Sequence, residues 1–127
     1  MKKNFTMSEL CRSNSYPNLA AKELPIEIAE NLCSLIMKVL QPLRDAMQFP
    51  IIISSGYRPP ALNKAVNGAT NSWHQKGLAA DIACGVVKNR KIYDWLQEKK
   101  NKGEIPIIEL LWEGNGGWVH VAIRSPV

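Results

Sequence analysis

With 127 residues, 46% of them apolar and 21% charged, the chain is about one domain long and can bury a core, which excludes a disordered chain. Eight Gly and eight Pro exclude collagen-like and low-complexity classes, and no apolar run reaches the roughly 18 residues of a membrane span. Sixteen Lys and Arg against eleven Asp and Glu give a net charge of +5, which favours polyanions such as nucleic acid, anionic lipid or bacterial wall polymers without choosing among them.

The basic start, Met1-Lys2-Lys3-Asn4-Phe5-Thr6, is not followed by an apolar stretch and does not read as a secretory signal. Synthesis in the cytoplasm is expected. The cysteines agree, because Cys11, Cys33 and Cys84 form no Cys-x-x-Cys pair and argue against a thiolate metal site or a disulfide framework. Residues 6–10 predict a short helix capped by Thr6 or Ser8, and 13–17 a loop. After Pro25 a long helix is expected. Ile28, Leu32, Leu35, Ile36, Val39, Leu40 and Leu43 recur at three- and four-residue steps and mark one buried stripe. Cys33 reads as core on that helix, and Pro42 should kink or restart it. Residues 51–54 read as a buried strand, 55–60 as a loop, 61–66 as a short helix and 78–83 as a second strand. Residues 89–102 predict a helix with Ile92, Trp95 and Leu96 inward and Gly103 as its stop. The basic runs 88–91 and 99–102 fall on it and read as a solvated face. Residues 107–113 and 118–123 flank Gly114-Asn115-Gly116-Gly117, a hairpin signal. Helices alternating with a few strands, one pair antiparallel, predict a single α+β domain over 1–127.

The two histidines, His74 and His120, are the chemical landmarks. With Asp81 they would supply two imidazoles and one carboxylate, a donor set that zinc takes in catalytic sites. On one straight strand His74 and Asp81 would face opposite ways, but the turn at Lys76-Gly77 lets the chain bend between them. The hairpin register adds carboxylates. If Asn115-Gly116 is a two-residue turn, Glu113 faces Trp118, Leu111 faces His120 and Glu109 faces Ala122. Glu113 and Glu109 then share the face of His120, each a diagonal step of roughly 7–8 Å away. A carboxylate beside an activated water is what a metallohydrolase uses as its base. Arg58, stiffened by Pro59-Pro60, is suited to hold a substrate carboxylate or carbonyl. Asn63, Asn67 and Asn71 read as turn formers. Trp73, Trp112 and Trp118 are expected in the wall beside the site, with Trp73 also a candidate for substrate contact.

Ser54-Ser55-Gly56-Tyr57-Arg58-Pro59, then Asn63, Val66-Asn67-Gly68-Ala69, then Ser72-x-His74-x-x-Gly77-x-Ala79-x-Asp81-Ile82, and finally Trp118-Val119-His120-Val121 together resemble the zinc peptidases of the D-alanyl-D-alanine carboxypeptidase group. That group includes the L-alanyl-D-glutamate endopeptidases of phage endolysins. The resemblance covers nearly the whole chain, and Asn4-Phe5-Thr6-Met7-Ser8-Glu9-Leu10 with Gln41-Pro42-Leu43-Arg44 looks like the compact, single-domain branch. It implies an α+β fold like that of the DD-peptidases and Hedgehog domains, with a small antiparallel sheet and helices packed on one side. It also implies zinc on His74, Asp81 and His120, Arg58 with Ser72 and Trp73 on the substrate side, and cleavage of peptidoglycan stem peptides. Neither nucleic acid nor a membrane span is implied as a partner, and a monomer is expected. Better-known members carry the catalytic Glu three residues before the last His, where this chain has Gly117. Compact relatives carry a Trp-Glu before the turn, which here is Trp112-Glu113, so Glu113 is the candidate base and Glu109 the reserve. The alternative is a catalytically silent zinc module that binds peptidoglycan or serves a structural role. With no leader, the protein would reach the wall after release or export.

Overall fold

A computed structural model describes residues 4–11, 18 and 24–126. Helix α1, Met7–Cys11, starts as its sequence predicts, with Thr6 Oγ1 accepting the Glu9 amide at 3.1 Å. The loop expected at 13–17 lies outside the described residues. Helix α2 runs Ile26–Leu35 and continues through a wider π-type turn, Ile36–Leu40, into α3, Gln41–Met47. The break expected at Pro42 takes this form: the Gln41 amide reaches back five residues to Ile36 O, and Pro42, which has no N–H to give, falls in the first turn of α3.

The periodic stripe buries as predicted at Leu32, Leu35, Val39, Leu40 and Leu43. Cys33 is a correction: it is exposed. One residue past Leu32 it is turned about 100° away from the core, on the side of the exposed Met37. Among the described residues the remaining α-helices are α4, Pro60–Ala65, and α5, Val86–Asn101. On α5, Ile92 and Leu96 are fully buried, and Trp95 packs against the core from a half-buried position. Among the described residues, no helix is long and apolar enough to cross a membrane.

Four strands, β1 Ile53–Ser55, β2 Ala79–Ile82, β3 Ile107–Glu113 and β4 Trp118–Ile123, pair antiparallel in the order β1-β2-β4-β3. The α+β class follows. Alternation divides the sheet into two faces. One carries Ile53, Ala80, Ile82, Val119, Val121, Ile123 and Leu110, which join the stripe of α2 and α3 and the inner side of α5 in one buried cluster. Each fully buried Leu or Ile there is worth about 1.5–3 kcal/mol. The opposite face carries Ser55, Ala79, Asp81, Ala122, His120, Glu109, Leu111 and Glu113, and it carries the chemistry.

The β3–β4 register is the one the Asn-Gly signal predicts: Glu113 pairs with Trp118, Leu111 with His120 and Glu109 with Ala122. Asn115 at φ 55, ψ 35 and Gly116 at φ 91 form a type I′ turn, closed by the Gly117 amide on Gly114 O at 3.0 Å. The fully buried Asn89 of α5 pins this turn, donating to Gly116 O at 2.7 Å while accepting the Cys84 amide at 2.8 Å. Trp118 departs from the expected wall. It is exposed and packs over Gly114, whereas Trp73 and Trp112 are half-buried against the core.

Candidate metal centre

Three separate segments meet on the polar face of the sheet. Asp81 and His120 are directly paired across β2 and β4, so their side chains stand side by side. His74 arrives from a short 3-10 turn, Trp73–Lys76, whose amide His74 N–H is capped by Ser72 Oγ at 3.2 Å. Gly77, at φ 73, ends the turn in the left-handed region that glycine tolerates and redirects the chain into β2. This is the bend that lets two residues seven apart face one point.

At that point Asp81 Oδ1 lies 3.3 Å from His74 Nε2 and 2.9 Å from His120 Nδ1, and the two rings stand 5.2 Å apart. One donor atom from each of the three residues falls within 4.8 Å of the others. A tetrahedral ion with bonds of about 2.1 Å would hold its donors roughly 3.4 Å apart, so the spacing fits.

The proton inventory fits as well. His74 Nδ1 lies 2.7 Å from Gly56 O. A carbonyl only accepts, so Nδ1 carries the hydrogen, and in the neutral ring Nε2 presents a lone pair toward the Asp81 carboxylate. A proton or a metal cation must bridge that nitrogen and the carboxylate. Two imidazoles and a carboxylate suit a borderline divalent ion such as zinc.

Burial alone would push the Asp81 carboxyl up, but hydrogen bonds and charge from His120 and His74 hold it down at about 2. Burial likewise pushes His120 down, and Asp81 and Glu109 outweigh it, so its pKa is raised. Both shifts register the carboxylate charge of Asp81 and Glu109 around His120, a charge that a metal ion would meet in place of the proton.

Around the triad the sequence-predicted residues divide. Arg58 is half-buried on the loop after β1. Its amide donates to His74 O at 2.9 Å and its Nη2 to Ser72 Oγ at 3.3 Å, while its buried Nε has no partner among the described residues. Burial lowers its pKa and the Asp81 charge raises it in return. Ser72 thus links Arg58 to the His74 turn. Trp73 is half-buried under the Lys76 ammonium, 4.7 Å from the ring centre.

Of the two glutamates on the face, Glu109 reaches His120, Oε1 to Nε2 at 2.8 Å. Glu113, half-buried opposite Trp118, has no hydrogen-bond or ion-pair partner among the described residues. The asparagines serve the backbone. Asn63 is buried and donates to Ala69 O at 2.9 Å, and Asn67 takes a positive φ of 57°.

The Gly56 carbonyl is a contributor that sequence reasoning missed. A Cβ on Gly56 would overlap the Leu10 carbonyl of α1, which also accepts the Tyr57 amide at 2.7 Å. Glycine there lets the loop press on α1 and aim its own carbonyl at His74. The only signal for it was a Ser-Gly pair just ahead of the Arg58 loop.

A family model described as Peptidase M15 matches residues 3–122. The zinc D-Ala-D-Ala carboxypeptidase of Streptomyces albus G is 32% identical over 120 residues, an alignment that takes in 94% of this chain and 45% of the relative. The chain therefore spans less than half the length of that curated relative. With the family model covering nearly the whole sequence, the chain belongs to the peptidase M15 family.

Proposed function

We propose that this chain is a zinc peptidase that hydrolyses peptide bonds in the stem peptides of peptidoglycan and trims them from the free carboxyl end beside a D-residue. The observation that carries the reading is the convergence of His74, Asp81 and His120 with their donor atoms within 4.8 Å. Similarity to a zinc D-Ala-D-Ala carboxypeptidase supports the substrate class, and the net charge of +5 suits an anionic wall.

His74, Asp81 and His120 would hold the zinc. When bound, the ion supplies Lewis acidity, which polarises a carbonyl and brings the ionisation of water toward neutral pH. The other tasks fall to this chain's side chains. Glu113 shares the face of His120 and has no competing partner among the described residues. It takes the proton of the attacking water and delivers it to the leaving amine. Arg58, tethered by Ser72 and with a buried Nε that has no partner among the described residues, holds the free carboxylate of the stem peptide. That pairing is what favours trimming of an end over an internal cut. Trp73, beside His74 on the same turn, is the aromatic wall on the substrate side.

The test is a digest of purified muropeptides by the zinc-loaded protein, with and without chelator, read by mass. Products shorter by one carboxyl-terminal D-residue, absent after chelation, are expected. Internal cleavage would replace the end-trimming reading with an endopeptidase. A protein that holds one zinc per chain and yields no product would leave a wall-binding module.

A further inference from the structure

We infer that Glu109 is a positioning residue of the metal centre: it accepts the Nε2–H of His120 and thereby commits His120 to offer Nδ1 to the ion. The inference rests on the zinc reading above and deepens it. Both nitrogens of His120 face carboxylate oxygens, Nδ1 at 2.9 Å from Asp81 Oδ1 and Nε2 at 2.8 Å from Glu109 Oε1. Only one of those carboxylates belongs to the cluster, since Asp81 Oδ1 is also 3.3 Å from His74 Nε2. The ion's place is therefore on the Nδ1 side, and Nε2 points away from it toward β3.

A neutral imidazole has one N–H and one lone pair. If Nδ1 is the ligand, the hydrogen sits on Nε2 and needs an acceptor. Among the described residues the hydrogen-bond acceptor at Nε2 is Glu109. His74 shows the same arrangement with the nitrogens exchanged: Nδ1 is anchored on Gly56 O and Nε2 faces the centre. Each ligand ring is thus held by its outer nitrogen, one on a backbone carbonyl and one on a carboxylate. Such outer partners fix ring orientation and strengthen the ligand, and losing one costs about 10–100-fold in metal affinity.

The same geometry separates the two glutamates of β3. They flank Leu111, the residue directly opposite His120, on one face of the strand. Glu109 is engaged by His120, whereas Glu113 is not, so the positioning and proton-transfer roles fall on different residues.

The full chain and its E109Q, E109A and E113Q variants, loaded with zinc, test this. Zinc affinity is read by competition with a chromogenic chelator, and the tautomer of His120 by nitrogen-15 NMR of the wild type. E109A is expected to bind zinc about 10–100-fold more weakly. E109Q, whose side-chain carbonyl still accepts Nε2–H, should stay within a few-fold of wild type, and E113Q should match wild type in zinc affinity. In the wild type the hydrogen should sit on Nε2 of His120. Wild-type affinity in E109A, or a hydrogen on Nδ1 in the loaded wild type, overturns the inference. So does a zinc-loaded E109Q that has lost turnover as completely as E113Q, which would make Glu109 the base. A wild type that retains no zinc defeats the function reading itself. A wild type that binds and cleaves while E109A keeps full affinity defeats only the role of Glu109.

Discussion

The two imidazoles of the site are held in opposite ways. His74 sits on a tight turn, 2% exposed, with its outer nitrogen on the backbone of Gly56. His120 sits in mid-strand, half-buried, with its outer nitrogen on a glutamate side chain that is 41% exposed. A backbone anchor cannot change without moving the chain, whereas a side-chain anchor can be exchanged by one substitution. The turn that carries His74 is therefore the half of the site with a rigid anchor, and the β3–β4 hairpin is the half in which affinity and proton chemistry can be tuned.

Removing a ligand is the largest way to break this comparison. H74A, D81A and H120A should each abolish zinc retention, measured as metal per chain after desalting. Full metal content in any of them would remove that residue from the ligand set. The two halves should then separate in the chelated proteins. H74A leaves the Gly56 carbonyl without its buried donor, a loss of about 1–3 kcal/mol, visible as a lower denaturation midpoint.

H120A should show a pH signature instead. The His120 pKa is raised above 6.5 in the fold. The stability its charge contributes is complete below 6.5 and is lost as pH rises through the folded value. Denaturation of the chelated wild type across this range should show that decline, and H120A should flatten it.

Next in size is E113Q. It should keep zinc and lose about 10²–10⁴-fold in turnover, the contribution of a positioned general base. Wild-type turnover would move the base elsewhere. G56A follows. A Cβ there would overlap the Leu10 carbonyl, so α1 and the loop must part at about 1–3 kcal/mol. Because the same residue orients His74, zinc affinity should fall together with the midpoint. A drop in stability without a drop in affinity would uncouple the loop from the metal.

The tunable half was the more legible in the sequence. Asn115-Gly116 dictates a type I′ turn, and a two-residue turn fixes every pairing downstream. The bounds of β3 and β4 and the partners Glu113–Trp118 and Leu111–His120 could therefore be read off directly. What alternation could not decide is which glutamate turns toward His120, because Glu109 and Glu113 are equal diagonal steps away and the choice is one of side-chain rotamer.

In the rest of the site the bend at Lys76-Gly77 and the three donor residues are legible, but the contacts that bring them together are not. The meeting of Asp81 with His120 depends on β2 pairing with β4, which are not consecutive strands, and the meeting with His74 depends on a 3-10 turn that leaves no periodic trace. Gly56 shows its purpose only when Leu10, 46 positions earlier, is seen against it. Cys33 departs from its expected burial because apolar character on a helix does not by itself place a residue inside, and it stands about 100° off the stripe.

The smallest expected effect lies where the rigid half meets the substrate. Ser72 Oγ caps the His74 turn and accepts Arg58 Nη2. Replacing it with Ala removes a cap, worth about 1 kcal/mol, and frees the guanidinium from its only side-chain tether among the described residues. Zinc affinity should change little, because Gly56 rather than Ser72 orients the imidazole. The loss should fall on KM more than on kcat, a few-fold, since a loosened Arg58 pays more entropy to hold a carboxylate. S72T, which keeps the hydroxyl, should restore most of it. A kcat defect without a KM defect would instead place Ser72 at the reacting bond, and the division between a fixed scaffold and a tunable hairpin would fail at its boundary.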